Sequence, residues 1–364
     1  MIIIVIALCV LLLAGVLENA LHQRRLKRIP LRILVNGTRG KTTVARMTAA
    51  VLGEAGIRTY AKTTGSQARR ILPDGREEAY RRDNRPASMM EQLPFVRLAA
   101  KDGAQAIVVE CMAQRYENQI LIANKLIRPN MVLMTNAYID HVEEIGGTEE
   151  ETVEVLAGSI APDCTVIAHD ERFGAYTGNL VIPHSAAGIN VCSGSAFEMH
   201  PQNVQLVAAL CEKLGIDDET LRRGLSKAKP DIGMIPSFTL GGCDVRNAFA
   251  ANDPISFMQA LDECARQGAY SLLYNHRRDR AYRMEAFAKA LRACKHPPME
   301  IGVIGEQKTW CSKYYSSMTG IPAAAVEEPL VWIRERERVL CAGNIKGEGQ
   351  SLLEKLIKEA QADV

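Results

Sequence analysis

The chain has 364 residues, of which 47% are hydrophobic and 24% are charged, a balance typical of a protein that buries a substantial core. This composition excludes disordered and fibrous classes, and at roughly 150 residues per domain the length predicts two globular domains. Lys and Arg total 44 against 42 Asp and Glu, so the net charge of +2 predicts no general attraction to nucleic acid. The ten cysteines form no CxxC pair, which argues against a zinc site or a disulfide framework and favours a reduced compartment.

The N-terminus carries a long apolar segment. Met1–Leu17 has no charged side chain, and as a helix it would cover roughly 25 Å of a hydrocarbon layer of about 30 Å. Basic residues follow it, at Arg24, Arg25, Lys27, Arg28 and Arg32. By the positive-inside rule they predict a single-pass cell-membrane anchor over 1–23, a basic flank over 24–28 and cytoplasmic domains beyond. A cleaved signal peptide is the alternative, although neither a preceding positive charge nor a clear cleavage site is present.

Short apolar runs alternate with helix-like stretches in the rest of the chain. Strands rich in Val, Ile, Leu or Met are predicted at 31–35, 106–109, 131–135 and 164–168, and helices at 42–54, 90–100, 149–158 and 203–214. Because such strands suit burial on both faces, we predict an α/β fold with a mostly parallel, three-layer sheet domain of the P-loop type over 29–238.

A second, smaller domain is predicted after a stretch punctuated by Pro and Gly at 229–242. Further apolar runs at 271–274, 301–304 and 339–342 alternate with helix-like segments. We therefore predict a Rossmann-like α/β domain over 239–364.

The strongest chemical signal is LRILVNGTRGKTT at 31–43, where a buried strand leads through a glycine-containing turn into a helix. The glycines would let backbone N–H groups approach phosphate oxygens, the lysine would reach the β and γ phosphates of ATP, and Thr42 would ligate Mg²⁺. The predicted ATP-binding residues are Gly37, Thr38, Arg39, Gly40, Lys41, Thr42 and Thr43. Val35 stands where the GxxxxGK pattern has glycine, so an ordinary strand–helix turn with a surface lysine is the alternative.

Two further candidates follow the predicted strands at 106–109 and 131–135. Glu110 ends an apolar strand, a poor place for a solvated carboxylate but a suitable one for a hard oxygen ligand of Mg²⁺. Asp140 and His141 lie just past the next strand. A DH dipeptide alone is more often an incidental helix start. In a chain that also has a phosphate loop, its position at the carboxyl ends of parallel strands favours a role in the site.

Several sequence blocks together resemble the Mur ligase and folylpolyglutamate synthetase superfamily of ATP-dependent amide ligases. The shared blocks are GTRGKT at 37–42, ECM at 110–112, NxxxDH at 136–141 and PQN at 201–203. A closer likeness, over nearly the whole chain, is to the ligase subunits of bacterial poly-γ-glutamate synthases, the PgsB/CapB type. It rests on the N-terminal helix and on KTTG at 62–65, EQ at 91–92, FAAND at 249–253, NxRxDR at 275–280, IGE at 304–306 and GNIxG at 343–347.

The resemblance implies an ADP-forming acid–amino-acid ligase that uses ATP and Mg²⁺. Such an enzyme activates a γ-carboxylate of glutamate or poly-γ-glutamate as an acyl phosphate and joins the next glutamate to it. It implies that Lys41, Glu110 and His141 are catalytic, and that Thr42, Glu110 and His141 are metal ligands. The implied partners are the glutamate polymer and small membrane subunits of a synthase and export complex, with no nucleic acid.

The resemblance also implies nucleotide contacts outside the phosphate loop. Asn203 corresponds to an asparagine that contacts adenine, and Arg277, Asp279 and Arg280 match a segment that closes over the nucleotide. Where Mur ligases have a carbamoylated lysine, this chain has Val155 and Leu156. It also has no room for their nucleotide-sugar domain before the first strand. Their linker arginine is not evident at 230–236, and Arg246 or an arginine of 277–280 is a candidate to replace it.

Other readings of these features stay open at this point. A membrane-anchored P-loop kinase would also have an anchor and a phosphate loop, but its C-terminal tyrosine cluster is missing from LLEKLIKEAQADV. A nucleotide switch of a capsule or export complex is another alternative. It would need the phosphate loop but would not need Glu110 and His141. An arginine-dense stretch could collect a γ-glutamyl polyanion or be solvated surface, and its members are Arg69, Arg70, Arg76, Arg81, Arg82 and Arg85.

Overall fold

A computed structural model describes residues 2–65, 68–80, 87–139, 145–184, 200–231, 237–251 and 254–362. The chain divides into two units, Met1–Pro230 and Asp231–Val364. The domain boundary predicted after residue 238 falls within a strand of the second unit, Ser237–Leu240.

The first unit is built around an eight-stranded sheet. Its strands are β1 (Leu31–Asn36), β2 (Thr59–Thr63), β3 (Arg69–Ile71), β4 (Glu77–Ala79), β5 (Ala106–Glu110), β6 (Met131–Met134), β7 (Thr165–Ala168) and β8 (Leu180–Val181). They lie in the order β4-β3-β2-β5-β1-β6-β7-β8, and every pair is parallel except β2–β3 and β3–β4. The α/β fold with a mostly parallel sheet is therefore confirmed, whereas the antiparallel β2–β4 extension was not predicted.

Helices cover both faces of this sheet, which makes the three layers. The α-helices in the described part of the first unit are α1 (Ile2–Lys27), α2 (Lys41–Glu54), α3 (Gln92–Lys101), α4 (Tyr116–Leu121), α5 (Glu149–Ala157), α6 (Pro201–Leu214) and α7 (Asp218–Lys227). One core cluster joins the sheet to α3, to the helical segment Ile122–Leu126 that follows α4, and to α5, through residues such as Phe95, Ile122 and Leu156. The other joins it to α2, α6 and α7 through residues such as Val44, Leu206 and Leu221.

Helix α1 differs from the other helices because most of its length is exposed in the part of the chain that the structure describes. Its apolar residues from Ile2 to Leu17 are exposed, and it is long and apolar enough to cross a membrane. The same helix continues without a break through the basic flank to Lys27, where His22 and Leu26 are buried. The predicted anchor and the first domain are thus joined by continuous helix.

The second unit contains a six-stranded sheet in the order β13-β12-β11-β14-β10-β9. Its strands are β9 (Ser237–Leu240), β10 (Cys243–Asn247), β11 (Ser271–His276), β12 (Ile301–Gly305), β13 (Ala323–Ala325) and β14 (Arg338–Gly343). Its helices are α8 (Pro254–Ala265), α9 (Ala281–Ala293), α10 (Lys308–Thr319), α11 (Pro329–Arg334) and α12 (Glu348–Ala362). All pairs are parallel except β9–β10, and core clusters lie on both faces.

Candidate active site

The phosphate loop links β1 to α2 in a conformation that requires glycine. Gly37 has φ 125° and Gly40 has φ 82°, both in the region that side chains disfavour. A Cβ on Gly37 would lie 2.8 Å from the Asn136 carbonyl oxygen and closer still to Thr135 Oγ1. The loop therefore lies so close to the end of β6 that no side chain fits at position 37, which explains why this residue is glycine.

Asn136 shapes the loop from the neighbouring strand. Its Oδ1 accepts hydrogen bonds from Thr38 Oγ1 at 2.7 Å and from Arg39 N at 3.0 Å. Its Nδ2 donates to the Arg39 carbonyl at 3.0 Å, and Thr135 Oγ1 donates to the same oxygen at 2.7 Å. Sequence reasoning placed Asn136 at a strand end but gave it no role. The parallel β1–β6 pairing is what brings it to the loop.

Lys41 begins α2 and folds back over the loop. Its Nζ donates to the carbonyl oxygens of Gly37, at 2.6 Å, and Thr38, at 3.1 Å. Backbone carbonyls are weaker partners for an ammonium group than phosphate oxygens are. The lysine is therefore held at the place where a phosphate in the loop would meet it.

Glu110 ends β5 beside the start of α2. Its Oε1 accepts from Thr42 Oγ1 at 3.0 Å, and its Oε2 accepts from Thr64 N at 2.6 Å. Sequence reasoning did not single out Thr64 as a site residue, although KTTG was noted as a block. The structure thus brings Lys41, Thr42 and Glu110 to the same edge of the sheet.

Burial governs the electrostatics of Glu110, which is 3% exposed. Desolvation raises the pKa of this carboxyl above its usual range, and the bond from Thr64, the charge of Lys41 and the bond from Thr42 offset that only in part. A buried carboxylate next to a threonine hydroxyl is a pair of hard oxygen donors of the kind that Mg²⁺ prefers. The residues at this position fit a magnesium ion.

Asn203 lies beside the phosphate loop in the first turn of α6. A Cβ on Gly40 would be 3.1 Å from both Nδ2 and Oδ1 of Asn203. Pro201 stands at the start of α6, where its fixed φ suits the first helical position. The two predicted site residues Gly40 and Asn203 are therefore close together, and the contact of Asn203 with adenine stays a prediction.

Asp140 and His141 lie outside the described residues, so their part in the site stays a prediction. In the described ranges no group of three or more His, Cys, Asp and Glu side chains is arranged to hold a metal ion. The donor pair of Thr42 and Glu110 is thus the part of the predicted metal site that the structure describes.

Arg277, Asp279 and Arg280 follow the carboxyl end of β11 in the second unit. Arg277 Nη2 lies 2.6 Å from Asp279 Oδ2, and Arg280 Nη1 donates to the Tyr282 hydroxyl at 3.0 Å. Arg246, considered as a substitute for the linker arginine, lies 3.7 Å from Asp244. Their roles toward a nucleotide stay predictions.

Three sequence blocks of the second unit meet at one edge of its sheet. Asn275 Nδ2 donates to the carbonyl oxygens of Asn344 and, at 2.9 Å, Lys346. Backbone N–H of Arg278 donates to Glu306 Oε2 at 2.7 Å. The NxRxDR, IGE and GNIxG blocks therefore form one polar cluster at the carboxyl ends of β11, β12 and β14, where α/β sheets bind ligands.

The described part of the arginine-dense stretch is paired with carboxylates. Arg70 pairs with Glu78 across the β3–β4 ladder, and Arg76 Nε lies 2.6 Å from Asp74. Glu77 accepts from Arg46 at 2.6 Å and lies 3.8 Å from Arg69. These contacts favour an ion-paired surface over an open polyanion site, and Arg81, Arg82 and Arg85 lie outside the described residues.

Two family models match the sequence. The Mur ligase middle domain matches residues 35–177, and the poly-gamma-glutamate synthase CapB C-terminal domain matches residues 243–359. The first match contains the phosphate loop, and the second contains the polar cluster at the ends of β11, β12 and β14.

Known proteins resemble the chain along its length in sequence or fold. PGA synthase CapB of Bacillus subtilis (strain 168) is 30% identical over 383 residues, 97% of each chain, and capsule biosynthesis protein CapB of Bacillus anthracis is 29% identical over 399 residues, 98% of this chain and 83% of the relative. Folylpolyglutamate synthase from Thermotoga maritima superposes with a TM-score of 0.63 at 12% identity, covering 90% of this chain and 89% of that one. Mycobacterium tuberculosis folylpolyglutamate synthase with ADP superposes at 0.60 and 15% identity, covering 92% and 93%. The structural likeness shows a shared fold, and the sequence matches show that the chain belongs to the CapB family of Mur ligase-like proteins.

Proposed function

We propose that the chain is the ligase subunit of a poly-γ-glutamate synthase, an ATP-dependent, ADP-forming enzyme that joins glutamate to a γ-carboxylate. One observation carries the proposal: a relative named PGA synthase is 30% identical over 97% of both chains. The site supports it, because Lys41, Thr42 and Glu110 lie together at one strand edge. The same edge holds the phosphate loop.

The reaction explains why a phosphate loop is needed. An amine does not displace oxide from a carboxylate, because oxide is a poor leaving group and the anion repels nucleophiles. Transfer of the γ-phosphoryl group of ATP to the γ-carboxylate turns that oxygen into a phosphate leaving group. The amine of the next glutamate then forms the amide bond, and ADP and phosphate are released.

The loop residues bind and orient the triphosphate in this scheme. Lys41 would exchange its bonds to the carbonyl oxygens of Gly37 and Thr38 for bonds to phosphate oxygens, which neutralises charge as the γ-phosphoryl group moves. Asn136 keeps the loop in shape through Thr38 and Arg39. Because the loop is pre-shaped, little ordering is left for the moment of binding.

Thr42 and Glu110 are the proposed magnesium ligands of the described part of the chain. A bound Mg²⁺ would supply charge neutralisation for phosphoryl transfer. Hydrogen bonds from Thr64 N and Thr42 Oγ1 already hold the Glu110 carboxylate in place. His141 is proposed as a further ligand on the family resemblance.

The remaining site residues are proposed as nucleotide contacts. The position of Asn203 beside Gly40 supports a place near the nucleotide. For Arg277, Asp279 and Arg280, the support is their position after β11, at the carboxyl ends of a parallel sheet.

We place the enzyme at the cell membrane, with α1 as a single span and both domains in the cytoplasm. The exposed apolar length of α1 and the basic residues after it support this orientation. Small membrane subunits of a synthase and export complex are the proposed partners, with α1 as their contact, and the growing glutamate polymer is the substrate.

The proposal is tested with membranes that carry the full chain, incubated with ATP, Mg²⁺ and each glutamate enantiomer. We expect ADP and polymer to appear together, and only when glutamate is present. Lys41→Ala should abolish both products, whereas Lys101→Ala, at the exposed end of α3, should leave both unchanged.

Three results would contradict the proposed ligase activity. AMP and pyrophosphate instead of ADP would exclude an acyl phosphate formed from the γ-phosphate. Phosphorylated protein without polymer would favour the kinase alternative. Full polymer yield from the Lys41→Ala variant would favour a nucleotide switch in another subunit's reaction.

A further inference from the structure

The C-terminal end of α1 packs directly on the rest of the first domain. His22 Nε2 lies 2.9 Å from the Leu126 carbonyl oxygen, and Gln23 Nε2 donates to the Lys125 carbonyl at 3.0 Å. Arg128 Nη1 donates back to Gln23 Oε1 at 3.2 Å, and Leu26 is 2% exposed. These contacts join the helix to the segment that leads into β6.

The distance along α1 sets how far this docking point lies from the hydrocarbon. Leu17 ends the apolar run and Glu18 is the first charged residue. From Leu17 to His22 a helix rises about 7.5 Å, at about 1.5 Å per residue. The headgroup layer on each side of a bilayer is roughly 5–8 Å thick, the difference between its full and hydrocarbon thickness. A membrane crossed by α1 would therefore bring its headgroups level with the docking point.

The surface around the docking point is basic, and we call it the basal face. Its members are Arg24, Arg25, Lys27, Arg28, Arg32, Lys125 and Arg128. Within the described ranges, none of these seven side chains has a carboxylate within ion-pair distance. Arg58, Arg172 and Arg223, which lie elsewhere on the surface of this domain, each pair with at least one carboxylate.

Positive charge on the basal face is uncompensated even where the residues touch. Arg32 donates to the carbonyl oxygens of Arg128, at 2.8 Å, and Ile29, at 2.7 Å, but not to an acid. Burial lowers the pKa of Arg32 from its usual value, and repulsion from Arg128 lowers it further. An anion at this face would relieve that repulsion.

The basal face and the candidate active site lie at opposite ends of the same strands. Arg32 lies near the start of β1, and Lys125 and Arg128 come just before β6. The phosphate loop follows the other end of β1, about 20 Å away at roughly 3.3 Å per residue. A membrane at the basal face would leave the ATP site open to the cytoplasm.

We propose that the basal face binds the anionic phospholipid headgroups of the membrane that α1 crosses, which holds the first domain against the bilayer with its phosphate loop turned away. This inference rests on the membrane location proposed above and not on the ligase activity. Lipid is favoured over an acidic protein, because the continuous helix α1 brings this face to headgroup level. Anionic lipids attract nearby Lys and Arg side chains.

The test uses the full chain reconstituted in vesicles of phosphatidylcholine alone or mixed with phosphatidylglycerol, without ATP or glutamate. A membrane-impermeant amine reagent modifies lysines, with a soluble lysine derivative in the same tube as the reference. Mass spectrometry gives the rates at Lys27 and Lys125. We expect both to fall about five-fold in anionic vesicles, the change that about 1 kcal/mol per basic residue produces, and to recover in high salt.

A charge reversal within the basal face gives the second arm. In Lys125→Glu the protection of Lys27 should weaken, because one attraction becomes a repulsion. Arg115→Glu makes a similar charge change at the start of α4, next to the opposite end of the sheet, and should leave the protection of Lys27 as in the wild type.

Several outcomes would overturn the inference. Equal rates at Lys27 and Lys125 in both vesicle types would show that the face does not meet the lipid. If Lys125→Glu and Arg115→Glu weakened the protection of Lys27 equally, the protection would be a general effect of surface charge and not a property of the basal face. Protection in native membranes but not in anionic vesicles would assign the face to an acidic protein. Failure of the chain to float with vesicles would contradict the membrane anchor as well. A ligase assay of the same samples tests the proposed enzyme activity separately, because none of these four outcomes depends on that activity.

Discussion

Lys62 Nζ lies 3.0 Å from Glu91 Oε2, and neither side chain is open to water, with Lys62 fully buried and Glu91 9% exposed. Lys62 belongs to β2, and Glu91 lies in the turn before α3. Two residues beyond the lysine, Thr64 N donates to Glu110. The buried ion pair therefore fixes the strand end that supplies one contact of the candidate metal ligand.

Breaking this pair should destabilise the first domain strongly. In Lys62→Met the Glu91 carboxylate stays buried without its cation, which should cost about 3–5 kcal/mol of unfolding free energy. The double change Lys62→Met and Glu91→Leu should be closer to the wild type than Lys62→Met alone, since both charges are gone. Urea unfolding in detergent measures the free energies.

An exposed ion pair of the same domain is the control for that experiment. Glu219 accepts from Arg223 at 2.6 Å and is 78% exposed. Glu219→Gln should change the unfolding free energy by less than about 0.5 kcal/mol. In the experiment on the buried pair, strictly additive effects of Lys62→Met and Glu91→Leu on the unfolding free energy would contradict an energetic coupling between Lys62 and Glu91.

Glu110→Gln should separate stability from activity. Because burial raises the pKa of Glu110, the folded state binds its proton more tightly than the unfolded state does. The stabilisation that this tighter proton binding gives to the folded state is fully present below the unfolded pKa of about 4.3. It is lost as the pH rises through the folded pKa. The metal-free variant should therefore be more stable than the wild type at neutral pH and lose this part of the pH dependence.

Activity and magnesium report the other half of that prediction. Glu110→Gln should lower the rate of ADP formation on the order of 100-fold or more, because a proposed metal ligand is lost. Mg²⁺ with ATP should raise the melting temperature of the wild type more than that of the variant. A variant that is less stable at neutral pH and equally protected by Mg²⁺ would refute this view of Glu110.

The sequence was most informative where contiguous residues carry the structure. The phosphate loop was predictable because strand, glycines and lysine follow one another over 31–43. Strand β2 was not predicted, because TYAKT contains a lysine that is buried only through Glu91, a partner distant in sequence. The loop-shaping role of Asn136 likewise needs the parallel β1–β6 pairing, which no local pattern reveals.

Gly37→Ala should disrupt the phosphate loop. The left-handed conformation and the missing space beside Thr135 and Asn136 should together cost about 1–3 kcal/mol, and ATP binding should be lost. Gly53→Ala is the matched control. Gly53 lies in α2 with no atom within 4 Å of an added Cβ, so the change should stabilise the helix by about 0.5–1 kcal/mol. Tight ATP binding by the Gly37→Ala variant would contradict the loop assignment.

Asn136→Ala should weaken ATP binding while leaving the fold in place. The variant loses the bonds that hold Thr38 Oγ1 and the backbone of Arg39. Loss of such bonds costs on the order of 1–3 kcal/mol, which corresponds to about a 5- to 150-fold weaker affinity. Calorimetric titration of the full chain in detergent with ATP and Mg²⁺ measures it.

Asn130 offers the matched control, because it makes the same kind of contact at the opposite end of the same strands. Its Oδ1 accepts from Arg32 N at 2.8 Å, and its Nδ2 donates to the Pro30 carbonyl at 2.6 Å. Asn130→Ala should lower the melting temperature but leave ATP affinity unchanged, since the loop is a full strand length away. If Asn130→Ala weakened ATP binding as much as Asn136→Ala, both asparagines would act through general stability, and the proposed shaping of the loop by Asn136 would be wrong.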